Sequence, residues 1–430
     1  MLKLKKTIWL LALMILFVLL LGSVSALAVE EITVIAHPIT KDLGLMWRHA
    51  ADLYNEKFEG KYYASIISQA GMVEEETMRQ FTSGKVAFDV LPIPCSLYSL
   101  QSPYLLPLDS FIAEHNYDIS VFGNVINKHS YESKIYGLPW RAFFHVSMFR
   151  KDLFEEAGLA YPENVYEILP AARKLTKKDA NGDIICYGYA LPFGDRWHAS
   201  KKFQQWMENV GGEILNKDNT AVSDWLTSDK AIELVTIWQT MNEEGLVPDP
   251  LSLGGREEYE FASLGRIAMM DNWNAYIGIL EGPDSPTRGK WHYTSNILMN
   301  KQVGPNPPGN TLSGWGAGIS KATKHPEAAF EFLKILVSKE AQIYYLLEYQ
   351  NGPSRMDVFD DPRAQVALPL PKDVVKRGFA EATQWELAPI QEAEYIKYYI
   401  FEEGQKMFAG NISPKVMLQN IADRTNEALQ

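Results

Sequence analysis

Runs of apolar residues alternate, along the first quarter of the mature chain, with segments whose apolar positions recur every three to four residues. Ile32–Ala36 is continuously apolar, as in a strand buried on both faces. The next segment carries its apolar residues on or near one helical stripe, at Met46, Ala50, Leu53 and Phe58. The same two patterns predict a strand near 62–67, a helix over 73–82 and a strand over 88–93.

This strand–helix–strand–helix–strand order predicts parallel strands joined by right-handed crossovers, and hence a doubly wound α/β lobe. Ligands of such sheets lie beyond the carboxyl ends of the strands. The loops at 37–40 and 94–96 are therefore candidate binding loops.

The later part of the chain predicts a second set of units and then a return to the first. A strand over 143–149 precedes a helix over 151–157 that Gly158 ends, and Ser228 is placed as the N-cap of a further helix. Residues 301–314 are rich in Pro, Gly and Asn and predict a loop. A strand over 316–320 and a helix from Pro326 follow it.

The first 28 residues have the pattern of a secretory signal. Lys3, Lys5 and Lys6 precede an apolar run over 8–21, and a small-x-small site ends at Ala28. A membrane anchor is the alternative, but the run is shorter than the roughly 20 residues that span a bilayer. We expect cleavage near Ala28 and a soluble periplasmic or secreted protein. Roughly 400 residues then remain, enough for two lobes.

Composition narrows the classes of partner. The net charge of −12 argues against nucleic acid or an anionic membrane as the partner. Export permits a disulfide between Cys95 and Cys186, the two cysteines of the chain. No pair of Cys or His has the spacing of metal ligands, so we expect neither a metal nor a cofactor.

Motifs that indicate an enzyme are weak. The repeat Gly314-x-Gly316-x-Gly318 has the wrong spacing for a dinucleotide fingerprint, and no helix opens after it. The chain has no phosphate loop and no nucleophile elbow. A pair of glycosidase-like carboxylates stays an open alternative, because acidic residues are abundant and none stands out.

Several phrases, which extend over nearly the whole mature chain, together resemble one family. They are Tyr136–Pro139 (Tyr-Gly-Leu-Pro), Arg150–Phe154, Ala157–Leu159 with Pro162, Lys174–Thr176, and Phe261–Met269 with its Phe-x-x-x-Gly-x-x-Ala-Met spacing. They resemble the extracellular solute-binding proteins of family 1, the sugar-capturing components of ATP-driven importers.

The resemblance implies a periplasmic binding protein fold with two lobes, each a doubly wound, mostly parallel sheet flanked by helices. It implies three crossings between the lobes, with 29–140 and 301–344 in the N-terminal lobe and 141–300 and 345–430 in the C-terminal lobe. The two cysteines then lie in different lobes, which favours two separate buried thiols over a disulfide. The implied function is capture of a sugar, expected to be an oligosaccharide, by a monomer that catalyses nothing and delivers it to membrane permease subunits.

Sugars present hydroxyls to polar groups and C–H faces to aromatic rings, so tryptophans in polar settings are the first candidates. Trp273 follows a predicted strand beside Asp271 and Asn272, and the family places a sugar-stacking ring there. Trp315 lies among small residues at a strand start, and Trp197 follows Asp195 in a loop that lines the cleft in relatives. Packing between the lobes is the alternative for each ring.

Three residues near the predicted crossings complete the candidates: Trp140 and Arg141 at the first and Arg355 at the third. Each has a structural alternative, which is favoured for Arg355. Tyr395 and Tyr398 lie on a late helix, and the sequence does not say which faces the cleft. Helical spacing predicts instead that Trp47, Trp206 and Trp238 belong to the core.

Two alternatives to a neutral sugar remain. One is a secreted carbohydrate-active enzyme. The other keeps the fold but binds an acidic sugar or another small solute, given Arg141, Arg196 and Arg355. Asp195 and Asp271 lie in the same candidate loops, and for that reason the sequence favours a neutral ligand.

Overall fold

The structure is a computed structural model that describes residues 29–37, 42–274, 277–282, 284–295, 303–305, 312–368, 370–380, 390 and 392–430. The predicted signal (1–28), residues 38–40 of the first candidate loop and much of the predicted loop 301–314 lie outside the described residues. Within the described ranges, no helix combines the length and the apolar character needed to cross a membrane.

The strands predicted from the sequence are present in the described residues, together with strands that were not predicted. They are β1 (Glu30–Ala36), β2 (Tyr62–Ser68), β3 (Val90–Pro94), β4 (Ser130–Tyr131), β5 (Lys134–Ile135), β6 (Leu138–Arg150), β7 (Lys177–Lys178), β8 (Ile184–Cys186), β9 (Met269–Trp273), β10 (Trp291–Ser295) and β11 (Leu312–Ile319). Seven of them form one sheet in the order β10-β6-β11-β3-β1-β2, with β9 also paired to β6. Strand β1 pairs in parallel with β2 and β3, as predicted, whereas β11 runs antiparallel between β3 and β6.

Helices cover the sheet and build the rest of the fold. They are α1 (Asp42–Lys57), α2 (Val73–Ser83), α3 (Tyr98–Gln101), α4 (Asp109–Glu114), α5 (Lys151–Ala157), α6 (Val165–Leu175), α7 (Arg196–Asn209), α8 (Asp229–Glu243), α9 (Gly255–Ser263), α10 (Ile277–Glu281), α11 (Pro326–Leu336), α12 (Lys339–Tyr349), α13 (Pro362–Ala367), α14 (Lys372–Ala380), α15 (Ala393–Phe408) and α16 (Pro414–Ala428). The predicted caps are confirmed. The Ser228 hydroxyl accepts from the Ala231 N–H at the start of α8, and Gly158 ends α5 in the left-handed conformation.

Two large hydrophobic cores hold these elements. The first contains Trp47, and the second contains Trp206 and Trp238. All three rings are fully buried, so their predicted core positions are confirmed. Cys95 and Cys186 are buried and form no disulfide, as the resemblance favoured.

Strand β6 joins the two halves of the fold. Its first half pairs with β11, and its second half lies between β9 and β10, both antiparallel to it. On the side of β6 away from β11, residues 351–354 run alongside the first half: the Ala142 N–H donates to the Gly352 carbonyl at 3.3 Å, and the Ser354 hydroxyl donates to the Pro139 carbonyl at 2.6 Å. The predicted lobe boundaries stay a prediction.

The Gly-x-Gly-x-Gly repeat of β11 has a packing explanation. A Cβ on Gly316 would lie 2.2 Å from the Tyr98 hydroxyl and 2.7 Å from Nδ1 of His129, and one on Gly314 would lie 2.5 Å from the Arg141 carbonyl oxygen. Only glycine lets β11 approach its neighbours this closely.

We therefore expect Gly316→Ala to lower the free energy of unfolding by about 1–3 kcal/mol, because the added methyl overpacks a buried site. Urea denaturation measures the change. The matched control is Gly71→Ala, where the nearest atom to a new Cβ is 3.8 Å away. Equal stability of the two variants would contradict the packing explanation.

Candidate functional site

Alternation along β6 gives the strand two faces with different neighbours. Side chains two apart share a face of a strand, so Arg141, Phe143 and His145 lie together. On the other face, the ring of Trp140 packs against Trp47 at 5.7 Å between centroids. All 13 residues of the strand are buried, so its two faces are covered by different partners.

The strands beside β6 place more rings on the face that carries Phe143. Residues directly opposite each other in an antiparallel pair share a face, and β11 sets Trp315 opposite Arg141 while β9 sets Trp273 opposite His145. Trp273 meets the edge of His145 at 3.9 Å and of Phe143 at 6.2 Å, and Trp315 packs against the same group. We call Phe143, His145, Trp273 and Trp315 the aromatic cluster.

The loops after β1 and β3 supply polar groups beside the cluster, where the strand order predicted binding loops. The ring of His37 lies 5.0 Å from Trp315. Burial, helped by the positive charge of Arg141, lowers the pKa of His37 to about 4, so the imidazole is neutral near pH 7. Its buried Nε2 and the buried hydroxyl of Ser96 have no hydrogen-bond partner among the described residues.

Helix α7 brings two further groups to the cluster. Lys201 follows Trp197 by one turn, and its Nζ lies 5.2 Å from the Trp197 ring and 4.7 Å from the Trp273 ring. The Nζ of Lys397, on α15, also lies 4.4 Å from the centroid of the Trp197 ring. The start of α7 therefore connects Trp197 to the aromatic cluster.

The carboxylate of Asp195 forms hydrogen bonds that hold the start of α7. Its Oδ1 accepts from the His198 N–H at 2.9 Å, which caps the helix, and its Oδ2 accepts from the Gly255 N–H at 3.1 Å. Burial alone would raise its pKa, but hydrogen bonds from His198 and these N–H groups lower it to about 2. The side chain predicted as a ligand contact thus serves as an N-cap.

Asp271 and Asn272, predicted beside Trp273 as ligand contacts, belong to a buried charge network. Lys202 donates to Oδ2 of Asp271 at 3.0 Å and also to its backbone carbonyl. Asn272 donates from Nδ2 to Glu258, and its Oδ1 accepts from the Trp273 N–H at 2.8 Å. All four side chains of the network, those of Lys202, Glu258, Asp271 and Asn272, are buried.

Burial governs the protonation of this network. It raises the pKa of Asp271 well above its usual range and also raises that of Glu258. It lowers the pKa of Lys202 to about 8, although Glu258 opposes the shift. The Tyr259 hydroxyl donates to the Trp273 carbonyl as well. The buried side chains of Lys202, Asn272 and Tyr259 therefore bond directly to the backbone of Asp271 and Trp273, which carries the Trp273 ring.

Two of the predicted contacts, Trp140 and Arg355, have packing or ion-pair partners away from the aromatic cluster. Trp140 is fully buried in the first core on the opposite face of β6. Arg355 pairs with Asp357 at 2.8 Å and donates to the Val337 carbonyl, the structural role that the sequence favoured. Tyr395 and Tyr398 are both exposed.

The sequence reasoning missed Phe143, His145 and Lys201. A signal was available for each. Counting in steps of two from Arg141 along the predicted strand reaches the first two, and a helix capped by Asp195 places Lys201 one turn after Trp197.

Among the described residues, a group of side chains away from the aromatic cluster has the composition of a metal site. His115, Glu327 and Glu331 bring their ligand atoms within 4.8 Å of one another. Lys334, however, places its Nζ 3.0 Å from Nδ1 of His115 and 2.7 Å from Glu331. The ammonium already supplies positive charge to this group.

The amino-acid sequence matches a known protein family. The family model of the bacterial extracellular solute-binding proteins matches residues 70–343. A protein of Sinorhizobium fredii named "Probable amino-acid ABC transporter periplasmic-binding protein" is 21% identical over 393 residues, 87% of this chain and 81% of that protein. A Brucella abortus protein, named only as a candidate binding protein, is 29% identical over 184 residues. These are 39% of this chain and 43% of that protein, so the chain covers less than half the length of this relative.

Solved structures show the fold. A solute-binding protein of an Agrobacterium radiobacter ABC transporter, in complex with ribitol, has a TM-score of 0.77 at 20% identity, covering 93% of this chain and 98% of that one. The maltose-bound MalE3 of T. maritima has a TM-score of 0.75 at 19% identity, covering 93% and 99%. The predicted resemblance and the two-lobed α/β fold are confirmed.

The buried network yields a prediction about Asp271. Lys202→Met removes the cation and leaves a buried carboxyl, so we expect the free energy of unfolding to fall by about 3 kcal/mol near pH 8. Since burial raises the pKa of Asp271, that carboxyl takes up a proton as the pH falls, and the loss is expected to be smaller at pH 5.

Chemical denaturation of Lys202→Met, Asp271→Asn and the double variant measures the coupling, with the exposed Lys230→Met as control. The free energy of unfolding of the double variant is expected to fall by less than the sum of the losses of the two single variants. Additive losses would mean that Lys202 and Asp271 do not form a pair.

Proposed function

We propose that this chain, which belongs to the family of bacterial extracellular solute-binding proteins, captures a sugar in the crevice between its lobes and delivers it to a membrane permease. The expected ligand is an oligosaccharide, and the protein is expected to act outside the cytoplasm after its signal is removed. The observation that carries the proposal is the aromatic cluster, whose rings come from strands on both sides of the joint.

The chemistry of the crevice suits a sugar. The flat rings of Trp273, Trp315 and Phe143 offer surface for the C–H faces of pyranoses, since such faces are apolar. His37, Ser96 and Arg141 lie at the margins and offer donors and acceptors for hydroxyls. A crevice with mostly aromatic walls and a few placed polar groups is the usual form of a small-molecule site.

The region where the two halves meet suits a protein that closes on its ligand. Strand β6, strand β11 and residues 351–354 lie side by side where the halves meet. A ligand that contacts rings from both sides binds the closed form better than the open one, and therefore shifts the population toward closure. A permease can distinguish the two forms.

The relatives bear on the ligand in two directions. The structural neighbours were solved with maltose and with ribitol, a sugar and a polyol, whereas the Sinorhizobium relative is named for amino acids. The breadth of the aromatic cluster favours the sugar, because an amino acid offers little surface to several rings.

Trp273→Ala is expected to weaken binding of the best sugar ligand by about 2–4 kcal/mol, because the ring contact is lost. That corresponds to a roughly 30- to 1,000-fold rise in Kd. A thermal-shift screen of mono- and oligosaccharides finds the ligand, and calorimetric titration measures Kd. The control is Trp225→Ala, a half-buried tryptophan outside the aromatic cluster, whose Kd is expected to match the wild type. An unchanged Kd for Trp273→Ala would mean that the Trp273 ring packs inside the protein and does not contact the ligand.

Binding without catalysis is a separate expectation. The family and the neighbours are binding proteins, and we expect each bound oligosaccharide to be recovered intact after incubation with the protein. Chromatography of the sugar measures this. Multiple-turnover cleavage would favour the carbohydrate-active enzyme instead.

A further inference from the structure

We propose that Gln205 and Asn209 of α7 form a polar subsite that binds the hydroxyls of a second sugar unit, next to the unit that stacks on Trp273. The inference rests on the proposed function and deepens it, because it assigns residues to the further units of an oligosaccharide. It requires the ligand to be a disaccharide or longer.

Helical spacing places the two amides in line with a residue that reaches the aromatic cluster. Side chains four apart are neighbours on a helix surface, so Lys201, Gln205 and Asn209 follow one another along one row of α7. The row begins at the cluster, since Nζ of Lys201 lies 4.7 Å from the centroid of the Trp273 ring. It then continues beyond Trp273 for two further turns.

A second observation places Gln205 beside the aromatic cluster. Burial is the largest cause of the lowered pKa of His145, and the nearby amide of Gln205 acts in the opposite direction. This influence requires the amide to lie close to the imidazole. His145 stands opposite Trp273 in the sheet and meets its ring at 3.9 Å between centroids. Gln205 is therefore a neighbour of the ring that is proposed to stack on the ligand.

Both amides are buried without hydrogen-bond partners. The side chains of Gln205 and Asn209 are fully buried, yet none of their four amide nitrogen and oxygen atoms forms a hydrogen bond of standard geometry in the described part of the chain. Such burial is costly, because the amide loses its hydrogen bonds to water and gains none in return. Two of these amides one turn apart indicate that a bound ligand or bound water completes them.

Other buried polar side chains of the same helix are bonded within the protein. Lys202 donates to Asp271 at 3.0 Å, and Gln204 donates to Glu208 at 2.6 Å. The helix therefore satisfies these polar groups by itself or through β9, and Gln205 and Asn209 differ from them.

The chemistry of an amide suits a sugar hydroxyl. Each carboxamide has two N–H donors and an oxygen acceptor, and a hydroxyl can meet either kind of group. Four residues of helix advance about 6 Å, so the two amides offer successive contacts to a ligand that runs along α7. Burial does not exclude this ligand, because Trp273 is buried as well and a protein that closes on its ligand covers what it binds.

The test uses sugars of one chemistry and different length. Glucose, maltose and maltotriose, xylose, xylobiose and xylotriose, and mannose, mannobiose and mannotriose are titrated calorimetrically into the wild type. In at least one series we expect the disaccharide to bind roughly tenfold or more tightly than its monosaccharide, because the second unit adds hydrogen bonds to the amides.

Apolar variants of similar size assign this gain to the two residues. Gln205→Met and Asn209→Leu are each expected to weaken binding of the disaccharide roughly tenfold and binding of the monosaccharide less than about threefold. Each variant removes a buried amide that has no partner, so we also expect the urea midpoint of the sugar-free protein to stay the same or rise. A purely structural role of the amides would lower that midpoint instead.

Asn55→Leu is the matched control, because the Asn55 amide has both of its partners. It donates to the Ala64 carbonyl at 3.1 Å and accepts from the Ala64 N–H at 2.7 Å. This variant is expected to lower the urea midpoint and to leave the Kd of every sugar unchanged. The length dependence of the wild type keeps the inference testable even where a variant fails to fold.

The outcomes separate this inference from the proposed function. A monosaccharide that binds as tightly as its disaccharide in every series would overturn the second subsite and leave sugar capture standing. An unchanged Kd of the disaccharide in both variants would mean that the amides hold only buried water, and would overturn their assignment. Tight binding of a free amino acid with no sugar bound would overturn both the subsite and the proposed function.

Discussion

The alternation of side chains along β6 is the constraint on which the rest of the molecule depends. One face of this strand fills the first core with Trp140 and Phe144, and the other carries Arg141, Phe143 and His145 beside the aromatic cluster. Because the strand passes without a break from one half to the other, a register slip of one residue would exchange the two sets. The strand that joins the halves is therefore also the strand that carries the proposed binding face.

A strand used on both faces requires close neighbours on both sides, and these explain two features that a binding role alone does not. The glycines of β11 allow that strand to lie against β6, and residues 351–354 take the opposite side. The network around Lys202 and Asp271 then fixes β9. Ion pairs buried in this way add little net stability, because desolvation offsets their attraction, but they are costly to break. Their value in this fold is to hold the Trp273 backbone in one position.

Periodicity and turn chemistry were enough to predict the order of strands and helices over residues 32–93, the caps at Ser228 and Gly158 and the core positions of Trp47, Trp206 and Trp238. The binding role of the loops after β1 and β3 stays a prediction. Periodicity and turn chemistry could not predict the roles of Asp195 and Asp271, because these depend on partners far along the chain: Gly255 for Asp195 and Lys202 for Asp271. A carboxylate beside a tryptophan looks the same in sequence whether it faces a ligand or a buried lysine. Trp140 and Arg141 were equally ambiguous until the faces of β6 were distinguished.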